Sequence, residues 1–142
     1  GAEEVASRAG APLSIVTTET RTISDGRLAA QRILAQGDLP DGIFAANDLI
    51  AIGILHEFVG SSTVRIPEDV ALVGFDDIEF ARDAIIPITS IHRPSEPVGR
   101  GAVDATVNAI DAVEHGLPVE HHVQRFAPRL VQRATTRPPT SP

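Results

Sequence analysis

Gly42-Ile43-Phe44-Ala45-Ala46-Asn47-Asp48-Leu49-Ile50-Ala51-Ile52-Gly53 passes from an unbroken apolar run, through a polar pair, into a second apolar stretch. Residues 42–46 show no in–out alternation, which is the pattern of a central parallel strand covered on both faces. Asn47 fits a turn or a left-handed position, and Asp48 fits the N-cap of a helix over Leu49–Val59. That helix is apolar nearly all round, through Leu49, Ile50, Ile52, Ile54, Leu55 and Phe58. A helix lying on one sheet needs a single apolar stripe. The excess is therefore expected to be buried by a second copy of the chain, with another helix of the same chain as the alternative.

The same strand-then-helix rhythm extends both ways. Upstream, residues 2–9 read as a helix closed by Gly10, and Leu13–Thr17 as a strand. A second helix follows, capped by Ser24 or Asp25, with Leu28, Ala29 and Ile33 inward and Gly37 at its end. Downstream, Val70–Phe75 reads as a fully apolar strand ending in Asp76-Asp77, and Phe80–Ile86 as a loop or short turn. Pro87 restarts an extended stretch through Thr89, Ile91 and His92. Ser95 then opens a long helix stopped by Gly116 and Pro118. Two short strands are predicted at 121–126 and 129–134, with a frayed tail from Thr135. Strands alternating with helices predict an α/β fold, a three-layer sandwich on a parallel sheet.

Composition narrows the function. A chain of 142 residues, 42% hydrophobic, with mean hydropathy +0.05, can build a genuine core. With no Cys there are no disulfides or thiolate metal sites. Net charge is −7 with a pI near 5.1, and all 12 basic residues are scattered Arg. Phosphate backbones need clustered cations, so these residues are not expected to hold DNA. The longest apolar run, Leu49–Leu55, is far short of a membrane span of ~20 residues. Met is absent, so Gly1 reads as a position inside a longer protein, and no leader is visible at the acidic start.

The chemistry sits where strands end, because ligands of open parallel sheets lie outside the carboxyl edge. Asn47 and Asp48 follow one strand, Asp76 and Asp77 a second, Arg93 a third, and Arg21 lies in the loop after residues 13–17. A carboxylate accepts from vicinal hydroxyls, Arg donates in a planar fork, and Asn does both. The set suits a sugar, nucleoside or similar polyol bound without covalent chemistry. The bland readings are a helix cap for Asp48, a turn for Asn47, a turn cap for Asp77 and surface charge for Arg21 and Arg93.

Three strings, Ile43–Gly53, Val64-Arg65-Ile66-Pro67-Glu68-Asp69-Val70-Ala71-Leu72-Val73-Gly74-Phe75-Asp76-Asp77 and Pro87-Ile88-Thr89-Ser90-Ile91-His92-Arg93-Pro94, resemble the LacI/GalR family of transcription regulators. They occur in the family's order and spacing, and Arg129-Leu130-Val131-Gln132-Arg133-Ala134-Thr135-Thr136 is also typical of it. The resemblance implies the C-terminal subdomain of a periplasmic-binding-protein type I-like effector domain. It implies a homodimer, a small-molecule effector such as a sugar or sugar acid, no cofactor, and a cytoplasmic protein. Operator DNA would be held only by an N-terminal headpiece outside these residues. Asn47 and Asp76 fall on the family's ligand-contacting Asn and Asp. Arg21 falls on a ligand position that is often aromatic, and Arg93 on one that is often Gln. Both departures raise a charged sugar acid or phosphosugar as effector. Ile52, Leu55, Phe80 and Ile85 fall on its dimer surface.

The resemblance also divides the chain. Residues 1–94 form the effector-binding subdomain, 95–120 a helix that packs into a first subdomain outside this chain, 121–134 strands that return, and 135–142 a disordered tail. With that partner absent, self-association by swapping the long helix is expected, together with weak effector binding. A binding protein of an ABC transporter is the alternative function. Catalysis is disfavoured, since there is no Lys, no phosphate-cradling loop and no nucleophile elbow. His115, His121 and His122 read as solvated surface rather than a metal site.

Overall fold

The computed structural model describes residues 1–61, 64–119 and 122–137. In chain order these form α1 (Ala2–Ala9), α2 (Ile23–Ala35), β1 (Gly42–Phe44), α3 (Asp48–Ser61), β2 (Ala71–Asp76), α4 (Glu79–Arg82), β3 (Thr89–His92), α5 (Ser95–Glu114) and β4 (Arg129–Val131). The sheet order is β1-β2-β3-β4, with the first three strands parallel and β4 antiparallel. Connections through α3 and α4 allow the parallel pairs, as crossover units require. The α/β class holds, with one antiparallel edge added to the parallel core.

Two predicted strands are not strands. Residues 13–17 run extended without joining a ladder, leaving β1 at the sheet edge rather than at its centre. The physical reason is poor anchoring. Leu13 and Ile15 point to solvent and only Val16 packs on the core, so pairing would recover little apolar burial. A cavity of about 710 Å³ separates this segment from Ile43, Phe44 and Ala45. Residues 122–126 are likewise extended but unpaired, and position 121 lies outside the described residues.

The apolar excess of α3 is covered by its own chain. Helix α2 crosses it where Gly26 meets Gly53, a contact so close that a Cβ on Gly53 would lie 2.8 Å from Gly26 Cα. Ala29, Ala30 and Ile33 of α2 are buried, while the other side of α3 packs on β2 around Leu72 and Gly74. Ile52 and Leu55, expected at a dimer surface, are 5% and 0% exposed and offer a partner nothing. Phe80 and Ile85 are each 74% exposed. Leu28, expected inward, points outward.

The tail is pinned, not frayed, through residue 137. Thr135 is fully buried. It stands where β2 and β3 have not yet paired: its carbonyl accepts from Leu72 N–H at 2.9 Å, its hydroxyl donates to Leu72 O at 2.6 Å, and that hydroxyl accepts from Thr89 N–H at 2.8 Å. It supplies the partners the ladder lacks there, as buried peptide groups demand. Thr135→Val keeps the shape and strands one donor and one acceptor, each worth ~1–3 kcal/mol when buried unsatisfied. Urea unfolding is expected to show a loss of about 2–3 kcal/mol, and an unchanged midpoint would refute the plug. Positions 138–142 lie outside the described residues.

Helix α5 differs from the rest. It runs for 20 residues and buries none of them. Val103, Val107, Ile110 and Val113 are all exposed, and the closest neighbours of its Gly101 are Gln124 and Phe126 of the extended segment.

Candidate functional site

Because β1, β2 and β3 are parallel, their carboxyl ends share one edge, and Asp76 stands in register with His92. The residues just past those ends gather there. Asn47 Oδ1 accepts from Ile50 N–H at 2.9 Å, so Asn47, not Asp48, caps α3. Its Nδ2 donates to the Arg21 carbonyl at 3.3 Å, which ties the 19–22 loop to the end of β1. That loop is set by a capping box at the start of α2. Thr22, rather than Ser24 or Asp25, is the cap, and Asp25 closes the box. The Thr20 hydroxyl and then that of Thr22 hold the Asp25 carboxyl down at about 2.

Asp76 and Asp77 end β2 with φ of 109° and 58°. Non-glycine residues reach such angles at a cost of roughly 1–3 kcal/mol each, and they persist only where neighbours hold them. Here the neighbours are identifiable. Arg93 Nε lies 2.7 Å from Asp76 Oδ1. Asp77 turns inward: its carboxylate is bonded by Arg133, with His92 Nδ1 at 3.0 Å, and its N–H donates to Ser90 Oγ at 3.1 Å. Burial opposes the charge on Asp77, but the bond and charge of Arg133, joined by His92, outweigh it and keep the carboxyl below the usual range. Asp77 is thus an internal anchor of the turn and not the cap of α4.

Beneath the turn lies Asp48, fully buried, accepting from Ser90 Oγ at 2.6 Å and Ile78 N–H at 2.8 Å. Burial pushes its pKa up. Gly74 makes the room, since a Cβ there would overlap Asp48 Oδ1. The edge therefore has two tiers. Asp48, Ser90, Asp77 and Arg133 form a satisfied lower network, and Asn47, Arg21, Asp76 and Arg93 present polar atoms above it. An amide, a carboxylate and the Arg93 guanidinium on one rim, with the exposed Arg21 tied to it through its backbone carbonyl, can hold a hydroxyl-rich molecule without covalent chemistry. Among the described residues no cluster of His, Cys, Asp and Glu with the makings of a metal site forms. His121 lies outside them.

Residues 1–136 match the periplasmic binding protein-like domain. The chain belongs to that family. Within it the segment is of the LacI/GalR effector-domain type. It is 33% identical over 110 residues, 78% of its length, to the HTH-type transcriptional repressor PurR of Vibrio cholerae, and covers 31% of that protein. It superposes on the transcriptional regulator CelR in complex with cellobiose with a TM-score of 0.80 at 29% identity, spanning 94% of this chain and 40% of CelR. On a lac repressor dimer bound to operator and the anti-inducer ONPF, the TM-score is 0.81 at 25% identity, spanning 94% and 45%. The chain therefore spans less than half the length of these relatives. No described helix is long and apolar enough to cross a membrane.

The sequence of this LacI-type segment marks Asp48 and Asp77 of the lower tier but gives no role to Ser90, Arg133 or Thr135, which fall in a strand and a tail.

Proposed function

We propose that the chain is the C-terminal lobe of the effector-sensing domain of a LacI-type transcription regulator, a repressor by its relatives. A sugar or related polyol binds between this lobe and a second one. The observation that carries the reading is the strained Asp76 turn, held by Arg93 on the same edge as the capped Asn47. Strain retained at a strand end, in the place where such sheets bind ligands, supports a binding role. Asn47 keeps one N–H and one lone pair for a ligand after capping α3, and Asp76 keeps its second oxygen. Four of the regulator's further properties follow as proposals: no catalysis, a cytoplasmic location, dimerisation through the exposed Phe80 and Ile85, and operator contact through a separate headpiece. The bare apolar face of α5 supports its packing into the second lobe, since a stripe of that size is otherwise costly to leave in water. PurR and the lac repressor are named as transcriptional repressors, which favours regulation over transport.

Ligand binding to the folded state raises melting temperature, by about 2.7 kcal/mol of added stability at 100 times Kd. A thermal-shift panel of sugars on the full-length protein that carries this segment is expected to give a hit. Asp76→Ala is expected to abolish that shift and Asn47→Ala to weaken binding at least tenfold, and Asp76→Asn, whose side chain tolerates the positive φ, is expected to weaken binding with unliganded melting little changed. A full-sized shift in Asp76→Ala would refute the site.

A further inference from the structure

Resting on that reading, we infer that the effector is an anionic polyol, carrying a carboxylate or phosphate, and that Arg21 and Arg93 select its charge. The chain as a whole has a net charge of −7, yet Asp25, Asp48, Asp76 and Asp77 around this rim are each already engaged within the chain. Asp48 is sealed beneath Ser90 and the Ile78 N–H. Asp77 is matched by Arg133, and Asp76 by Arg93. Arg21 is left exposed, with no ion-pair partner among the described residues, on the loop that Asn47 Nδ2 grips. A cation with no ion pair among the described residues thus stands on the loop beside the rim, next to an Asp25 carboxylate that is already engaged by Thr20 and Thr22.

The geometry of the pairs adds a second argument. Arg93 approaches Asp76 through Nε, the inner nitrogen of the fork, as an ion pair at 2.7 Å, and its two terminal nitrogens make no hydrogen bond among the described residues. A ligand bringing an anion can take those two N–H groups side by side while Asp76 accepts a neighbouring hydroxyl through its second oxygen. A neutral sugar can use the Asp76 oxygen and the Asn47 amide. Its hydroxyl oxygens can also accept from Arg21 and Arg93, but it brings no negative charge to set against either guanidinium. Charge-assisted bonds to an anion are also the shorter and stronger kind.

The test is calorimetric titration of the full-length protein with D-glucose, D-galactose and D-ribose against D-gluconate, D-glucuronate, D-galacturonate and D-glucose 6-phosphate, all at one ionic strength. At least one anion is expected to bind tenfold or more tightly than its neutral parent, with affinity falling as NaCl is raised. Arg21→Gln is expected to erase about tenfold of that preference, while Arg21→Lys keeps part of it. Melting of unliganded Arg21→Gln should match the parent, because the side chain holds nothing in place. The uronates and gluconate against the phosphate ester decide which anion is meant. If a neutral sugar binds as well as or better than every anion, the charge inference fails while polyol sensing stands. If no polyol of either kind binds, both readings fail.

Discussion

Gly53→Ala is expected to lower the stability of the protein by about 4 kcal/mol, beyond the ~1–3 kcal/mol typical of overpacking. The reason lies in what the added methyl strikes. It would collide with the Ile23 carbonyl oxygen, lie 2.8 Å from Gly26 Cα, and lie 2.9 Å from Arg27 N, all of them backbone atoms of α2. A flexible side chain yields to such a contact, whereas a helix backbone moves only as a body. Separating α2 from α3 opens gaps around Ala30, Ile33, Ile50 and Ile54, which now share one core. The same shift drags the Thr20–Thr22 loop off Asn47, so effector affinity should fall along with stability. Gly60→Ala is the control, because a Cβ there meets nothing within 4 Å. In a helix the change is expected to be neutral or to stabilise by up to ~1 kcal/mol. Thermal unfolding should place Gly53→Ala roughly 10 °C or more below the parent. Equal melting of the two glycine variants would show that the crossing tolerates separation.

Gly53 illustrates where the sequence is silent. Its helix was plain from the apolar spacing, and so was the excess apolar surface, but spacing alone does not say which surface covers it. The Gly26–Gly53 approach answers that, and the answer lies 27 positions away in the chain, invisible to any local pattern. The strand ends fared better. β1 and β2 announce themselves as apolar runs closed by polar residues and β3 as an extended stretch restarted by Pro87, so the placing of Asn47, Asp76 and Arg93 on one edge follows from parallel topology. Asn47 and Asp48 are both good caps, so sequence alone does not tell which of them caps α3 and which turns inward. Only the small Gly74 and the Ser90 hydroxyl, both on neighbouring strands, draw Asp48 inward. Leu13–Thr17 failed for another reason: β-propensity expresses itself through packing, and that segment finds little to pack on.

Arg133→Met is expected to cost about 3–5 kcal/mol at neutral pH, the range for removing one partner of a buried ion pair. Arg133 and Asp77 side chains are only 13% and 5% exposed, and Arg133 also donates to the Ile88 carbonyl at 2.8 Å. Without the guanidinium, Asp77 keeps only His92 against the burial that already opposes its charge. The pH dependence should then reverse. In the parent the Asp77 pKa is depressed, so its contribution is complete above the unfolded value of about 3.9 and drains away as pH falls through the lower folded value. In Arg133→Met burial dominates and the folded pKa rises above the unfolded one. The penalty then appears as pH climbs through about 3.9 and beyond, and shrinks on acidification. Urea midpoints for parent and variant should therefore converge between pH 7 and pH 4. Asp77→Asn in the Arg133→Met background removes the stranded charge and is expected to restore part of the loss at pH 7 while having little effect at pH 4. A variant whose deficit is the same at both pH values, and which Asp77→Asn does not rescue, would mean that Arg133 acts through Ile88 alone. The Asp76–Asp77 turn would then need another explanation for its strained backbone, since the anchor that holds Asp77 inward is what leaves Asp76 facing the rim.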